Sequence, residues 1–580
     1  MPLAPWPTSN WPKDVPREIS GYEKPVYSIL DDSAEKYPDK DYTLFMGGSR
    51  TFAQVKDTAD RIANFLASRG IGKGDPVAIF LPNLPQYPAV YFGILKAGAI
   101  CVTCNPMYTA SELNYQLKDA EAKAVFCMDH PVYYPTAVEA IKETKVDTVV
   151  ICGVKSYMPW LKGFFGSLLG KIPKADTHEP EHLFLEDVVS AATPDPPKVT
   201  INPTEDLAVI IYTGGTTGVP KGAAITHASF VFNVMALHEW FRIPEVQGGP
   251  TVQVSPGGEH CFMAALPFYH SFGMTVIMLW SCFTASRVVC IPDPRAGNPP
   301  FTEVLKAIEK HRVTIFPGVP TMFVAVANHP LLDKFDLTSI RGCGSGGAPM
   351  PAEVAKQFEE KTGSIIFEAY GLSETSPLAT ANPCDKETRK FGSVGFPISN
   401  TVVAIVDTET GLEMLPQGED GEIAISGPQV MRGYWQNETA NAEVFREIDG
   451  KRFFLTGDIG HIDDNGYILI TDRKKDLILV GGFNCYPREV EEVLYENPKI
   501  ANAAVIGIPD PKSGESVKAF VQLKPGEEAT EKELLDFCRE SLAGYKRPRS
   551  IEFRDDLPTS VVGKVLRRVL RDEELAKLSA

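Results

Sequence analysis

Apolar residues recur three and four apart along residues 51–69 (TFAQVKDTADRIANFLASR), which puts Phe52, Val55, Ala59, Ile62, Phe65 and Leu66 on one face. That spacing predicts an amphipathic helix, and Gly70 is the residue that ends it. Residues 75–81 (DPVAIFL) form a short apolar run bounded by Gly and Pro, as a buried strand does; residues 87–97 read as helix and 99–104 as strand again. Such alternation predicts a mostly parallel sheet with helices on its faces. The rhythm returns at 302–315 and from 337 to 367. Past Gly392 short strands with tight turns take over, at 402–406, 421–425, 452–456 and 467–471, with Asp464-Asn465-Gly466 as a hairpin turn. A further unit begins after Asp472, and its end is basic: Lys546, Arg547, Arg549, Arg554, Lys564, Arg567, Arg568 and Arg571. The expected fold is α/β. A large N-terminal domain of helix-flanked β-sheets with a β-rich subdomain covers residues 1–472, and a small mobile α+β C-terminal domain covers 473–580.

Two apolar stretches stand apart from this pattern. Residues 261–286 hold no Asp, Glu, Lys or Arg, but Pro267, His270, Gly273 and several hydroxyls favour a buried helix lining a pocket over a membrane span. Residues 160–172 (WLKGFFGSLLGKI) place Trp160, Leu161, Phe164, Phe165, Leu168, Leu169 and Ile172 on one broad face, with Lys162 outside it and Lys171 at its edge. This predicts a membrane-surface helix, too short to span; a helix packed on its own domain is the alternative.

Composition narrows the function. A chain of 580 residues exceeds one hydrophobic core, which stops growing near ~250–300 residues. The net charge of −17 (57 basic against 74 acidic side chains) opposes non-specific nucleic-acid binding, because phosphates repel an acidic surface. The 11 cysteines are scattered and odd in number, and the Cys101/Cys104 pair lacks the second pair of a zinc site. Free thiols in a reducing compartment are expected. The N-terminus, broken by Pro2, Pro5, Pro7 and Pro12, lacks the apolar core of a leader. The expected location is the cytoplasm, with a peripheral contact on the inner membrane surface through residues 160–172. Oligomeric state is not legible, a homodimer being one option.

Residues 212–222 (YTGGTTGVPKG), entered from the apolar run 207–211, carry the strongest chemical signal. Small residues let the backbone wrap a phosphate chain with its N–H groups inward. Thr213, Thr216 and Thr217 add hydroxyls, and Lys221 adds charge. A Walker A loop is excluded, since Gly222 rather than Ser or Thr follows the lysine. Residues 342–347 (GCGSGG) fit GxGxxG, with Glu368 near the spacing of a ribose-binding acid; a lone fingerprint of this kind is weak support for a dinucleotide-dependent oxidoreductase. Residues 368–375 (EAYGLSET) offer Tyr370 to stack on a purine, Ser373 for a phosphate and Glu374 as a hard oxygen ligand for Mg²⁺.

Taken in order, YTGGTTGVPKG, SGGAPM, EAYGLSETSP, LTGDIG, DRKKDLILVGGFNCYP and PTSVVGKVLRR resemble the adenylate-forming acyl-CoA synthetase and luciferase superfamily. YTGGTTG, NPMYTASEL (residues 105–113) and GGFNCYP make the chain look most like the bacterial long-chain fatty acyl-CoA synthetases within it. The resemblance implies ATP-dependent activation of a fatty acid as acyl-AMP, transfer to coenzyme A, and Mg²⁺ as cofactor. It assigns Thr213, Gly214, Gly215, Thr216, Thr217, Gly218 and Lys221 to the ATP phosphates, with Thr217 among the catalytic residues. Gly346, Gly347, Ala348, Glu368, Ala369, Tyr370, Gly371 and Ser373 go to the nucleotide, and Asp458 and Arg473 to its ribose. Glu374, helped by Thr213, matches the metal ligand, and Lys564 the catalytic lysine. His270, Ser271, Met274 and Gly344 line the implied acyl pocket, Lys475 sits at the hinge, and Gly481, Gly482, Phe483 and Lys546 face coenzyme A. An aryl- or medium-chain acyl-CoA ligase would share every nucleotide motif and differ only in that pocket.

Overall fold

A computed structural model describes residues 10–213, 220–245, 249, 251–481, 483–559 and 565–579. The first expected helix runs Phe52–Ser68, and a capping box starts it: Gln54 N donates to Thr51 Oγ1 while Thr51 N donates to the Gln54 side chain. Gly70, at φ +73°, ends it in the left-handed region. Pro76–Phe80, Ile100–Thr103, Ala124–Met128 and Thr148–Cys152 are parallel strands buried along their length, which is why they read as unbroken apolar runs. With Leu183–Phe184, Leu207–Thr213, Lys221–Thr226 and Gly433–Tyr434 they form an eight-stranded sheet. Leu207–Thr213 and Lys221–Thr226 pair antiparallel, so the glycine- and threonine-rich loop is pinched at its base by Thr213 facing Lys221.

The second helix-flanked sheet takes Cys261–Ala264, Arg287–Cys290, Asp41–Phe45 and Gly48–Thr51. A bridge from Phe262 through Ile315 to Gly342 carries the strands Gly342–Ser345 and Ile365–Gly371 alongside it. Residues 261–286 therefore differ from expectation. They open as a strand, and the helical part begins only at Ser271, passing into a π-helical segment Gly273–Leu279 followed by Trp280–Phe283. A strand buried on both faces and a buried helix share one apolar pattern, and periodicity does not separate them.

Five antiparallel strands make the β-rich part: Val402–Val406, Gly421–Ser426, Phe445–Ile448, Lys451–Ile462 and Ile468–Arg473. The strand expected at 452–456 is twelve residues long because its partners change along it, Phe445–Ile448 flanking one end and Ile468–Arg473 the other. The Asp463 carboxylate accepts Asn465 N and Tyr467 N, fixing the turn. A separate five-stranded sheet follows: Ile478–Val480, Phe483–Cys485, Ile500–Asp510, Gly514–Leu523 and Ser550–Phe553. With helices Pro487–Tyr495 and Glu531–Ser541 it encloses its own core around Val490, Val505, Val517 and Leu534. All eleven cysteines are buried and free. Among the described residues no helix is long and apolar enough to cross a membrane. Residues 160–172 form a helix only over Trp160–Leu168, since Leu169 caps it and Gly170 turns the chain at φ +63°.

Candidate active site

A cleft of about 1280 Å³ runs between the large part of the chain and the small C-terminal sheet. Its walls come from the loop base (Thr213, Lys221), the end of strand Gly342–Ser345, residues 369–374, Tyr434, the connection 473–476 and residues 565–569. Strand ends supply most of these groups, which fits the rule that ligands bind beyond the carboxyl ends of parallel strands.

One end of the cleft is cationic. Lys221 follows the pinch of the loop, and its ammonium lies 5.3 Å from the centre of the Tyr434 ring. Arg473 Nε pairs with Asp458 Oδ1 at 2.9 Å, and that carboxylate holds the guanidinium pKa up. Desolvation, and then the nearby cations of Arg473 and Lys221, lower the pKa of Lys475. Three cationic side chains crowded around one cavity suit an anionic ligand. Glu374 lies among them, 7% exposed, its Oε1 accepting from Thr213 Oγ1 at 3.3 Å and Tyr434 Oη at 3.0 Å. A single hard carboxylate oriented by two hydroxyls beside a phosphate-sized cavity suits Mg²⁺, which takes one or two carboxylates and completes its shell with substrate oxygens and water. Burial and then Glu374 push the Tyr434 hydroxyl pKa up, so it remains a donor. The sequence offered no sign of Tyr434; its place depends on the pairing of Gly433–Tyr434 with Ala224 and Ala223.

Ala369, Tyr370 and Gly371 line the next part of the cleft with Gly346 and Gly347. Tyr370 Oη donates to Asp458 Oδ2 at 2.6 Å, tying the ring expected to stack on the purine to the Asp458–Arg473 pair. Ser373 and Ser271 share a hydrogen bond of 3.3 Å. Glu368 points elsewhere. Its carboxylate accepts Met350 N and Gly392 N, and burial pushes its pKa up to about 7, so it braces two loops behind the wall. Ala348 also lies off the cleft lining, next to Gly347.

The far end is apolar, with Leu237, Phe241, Phe272, Val276 and Val319 around Gly344. A Cβ on Gly344 would stand 3.5 Å from the Phe241 ring, so the missing side chain leaves this end open only as far as Phe241. His270 is in the wall; desolvation lowers its pKa to about 4, which leaves it neutral, and its Nδ1 accepts Phe272 N. Met274 is fully buried behind the wall rather than in it. The GxGxxG glycines serve this packing: a Cβ at Gly342 would meet Ile243 at 2.5 Å.

Gly481, Phe483 and Lys546 are not brought to the cleft. Phe483 is 61% exposed and stacks on Tyr545 at 5.1 Å, and Lys546 pairs with Glu489 at 2.6 Å. Gly214, Gly215, Thr216, Thr217, Gly218, Gly482 and Lys564 lie outside the described residues; Val565, directly after Lys564, lines the cleft.

Known proteins resemble this chain in sequence and fold. The AMP-binding enzyme family matches residues 30–435, and the AMP-binding enzyme C-terminal domain matches 489–564. The chain is 41% identical over 575 residues to a long-chain-fatty-acid–CoA ligase of Bacillus subtilis (strain 168), covering 98% of each chain. It is 36% identical over 579 residues to the long-chain-fatty-acid–CoA ligase of Escherichia coli O6:H1, again covering 98% of each. Among solved structures, the anthranilate CoA ligase AuaEII in complex with anthranoyl-AMP superposes with a TM-score of 0.82 at 25% identity, over 97% of this chain and 99% of that one. ATP-bound MatB from Rhodopseudomonas palustris gives a TM-score of 0.78 at 30% identity, over 95% and 99%.

Proposed function

This chain belongs to the AMP-binding enzyme family, and on that premise we propose that its cleft activates long-chain fatty acids for coenzyme A. The chain is an AMP-forming acyl-CoA synthetase, an ATP-dependent acid–thiol ligase. A carboxylate oxygen of the acid attacks the α-phosphorus of ATP, the bond to pyrophosphate breaks, and acyl-AMP forms. The coenzyme A thiolate then attacks the acyl carbonyl, and AMP leaves with the electrons of the broken C–O bond. Both partners of the first step are anions, so the site has to hold them together and spread charge away from the α-phosphorus.

The observation that carries this reading is one cleft with a cationic end and an apolar end. Lys221, Lys475 and Thr213 line the end that takes the phosphates, and Asp458 with its partner Arg473 takes the ribose beside Tyr370. Glu374, with Thr213, would hold Mg²⁺, which when bound supplies positive charge against phosphate oxygens. Lys564 and Thr217 complete the reading from the sequence. The acyl chain lies along Phe272, Val276 and Leu237 toward Phe241. We place the division at 472/473, next to the end of the β-rich sheet at Arg473 and ahead of the next sheet at Ile478. A swing about Lys475 presents Gly481, Gly482, Phe483 and Lys546 to coenzyme A in the second step. Eleven free, buried cysteines support a cytoplasmic location, and the bilayer solubility of long-chain acids supports a peripheral membrane contact.

Pyrophosphate release across saturated acids of graded length, alongside benzoate and cinnamate, tests the reading. kcat/KM is expected to peak at a long chain and to be lowest for the aromatic acids. An aromatic acid that outruns every fatty acid, or product formation without AMP, overturns it.

A further inference from the structure

We propose that the helix Trp160–Leu168 and its cap dock the enzyme on an anionic lipid surface. The helix is built the wrong way round for a soluble domain. Its inward side is made of glycines: Gly163 is buried, with a Cβ position 3.2 Å from the Lys155 carbonyl, and Gly166 is covered by the Ile172 side chain at 3.0 Å. The bulk points outward. Trp160, Leu161, Phe164, Phe165, Leu168 and Leu169 are exposed by between 51% (Leu161) and 75% (Trp160). An apolar patch this dense on a surface marks an interaction site. The helix is nine residues, about 14 Å long, and so lies in an interface without crossing it.

Charge selects the occupant. Residues 155–174 contain Lys155, Lys162, Lys171 and Lys174 and no acid, on a chain whose net charge is −17. Lys162 Nζ donates to the Met46 carbonyl at 3.1 Å, which holds the helix against the turn at Gly47, where the Lys310 ammonium also lies. Lys155, Lys171 and Lys174 are exposed and form no ion pair among the described residues. Lipid phosphates complement an acid-free basic rim, and the bulky apolar side chains beside it fit the acyl layer beneath those phosphates. Indole and phenyl rings flanked by snorkelling lysines are the composition of interfacial helices, and each lysine near an anionic surface adds about fivefold to partitioning. The proposed substrate class gives this contact a purpose, delivery of an insoluble acid, but does not enter its test.

The test is co-sedimentation of the full chain with vesicles of equal parts phosphatidylglycerol and phosphatidylcholine, and with phosphatidylcholine alone. Binding is expected to the first and to be weak to the second. Phe164→Ser with Phe165→Ser, and separately Lys171→Glu with Lys174→Glu, are each expected to weaken it at least about tenfold. All four positions are exposed, so thermal midpoints should stay at the wild-type value. Absent binding to the phosphatidylglycerol vesicles, or binding at the wild-type level by either variant, overturns the proposal. So does a wild-type dimer in sedimentation velocity that the double serine variant turns into a monomer, since a second copy would then own the face.

Discussion

Glu374 Oε1 is oriented by two hydroxyls, and the side chain that supplies one of them, Tyr434, also carries Lys221 over its ring. Two charges of opposite sign are thus set by one aromatic residue. Tyr434→Phe separates the two effects, since the ring under Lys221 stays while the bond to Glu374 goes. A hydrogen bond to a charged group contributes about 1.5–3 kcal/mol; with Thr213 still in place the lower figure applies. The Mg²⁺ concentration at half-maximal pyrophosphate release should rise about tenfold, with the KM for ATP little changed. Tyr434→Leu removes the ring as well and should raise both. If Tyr434→Phe moved only the KM for ATP, the bond to Glu374 would have no bearing on the cation. Glu374 and Lys221 were legible in the sequence because each stands in a local motif whose chemistry shows in adjacent residues. Tyr434 was not, because its role comes from pairing with Ala223, some two hundred residues earlier.

At the scale of elements, the apolar wall of the cleft depends on how the segment Gly273–Leu279 starts. π-Helical turns are rare and concentrate at functional sites. Here Phe272 and Val276, four residues apart, both reach the cleft while Met274 stays buried. Gly273 makes this possible: an added Cβ would stand 2.2 Å from the Pro267 carbonyl oxygen and 2.9 Å from that of Leu266, both backbone atoms that have no room to yield. Gly273→Ala must therefore push the turn that carries His270 and Ser271 outward. Overpacking of this kind costs about 1–3 kcal/mol, so the thermal midpoint should drop. The KM for a long-chain acid should rise by more than the KM for ATP, whose contacts lie at the cationic end. Equal changes in both would place the strain elsewhere. Here the sequence misled for a physical reason. Residues 261–286 carry no Asp, Glu, Lys or Arg and their polar positions follow no period, so neither the strand Cys261–Ala264 nor the point where the helix begins leaves a periodic trace. The helix Phe52–Ser68 was legible, since it is half-buried and both of its ends carry capping residues.

Across the whole molecule, the order of units was legible because each has its own pattern period, but the contacts that fix the small sheet against the cleft were not. Asp472 lies just before the proposed hinge at Lys475, and residues beyond the hinge converge on it. Arg488 N donates to its Oδ2 at 2.7 Å, and Arg567 Nη1 approaches its Oδ1 at 3.5 Å while also pairing with Asp476 at 3.1 Å; Arg567 Nη2 pairs with Glu491 at 2.6 Å. Arg567 follows Lys564 by three residues, so whatever holds Arg567 also holds the segment that lines the cleft. Phe483, meanwhile, faces solvent. The proposed swing about Lys475 would have to release Asp472, which ties this arrangement to the first half-reaction of the proposed mechanism. Asp472→Asn weakens that hold but leaves Arg567 paired with Asp476 and Glu491, so the small sheet should remain folded. Pyrophosphate release from ATP and acid should fall about tenfold, as for loss of one charged hydrogen bond of about 1.5 kcal/mol, while coenzyme A thioester formation from synthetic acyl-adenylate should change much less. Burial pushes the Asp472 carboxyl up to about 6, against the pull of Arg567. The carboxylate is charged above that pH and neutral below it, so acidification through pH 6 should reduce the wild-type first step and leave the variant's without that limb. Equal losses in both half-reactions, or the same acid limb in Asp472→Asn, would mean that these contacts serve only the folding of the small sheet.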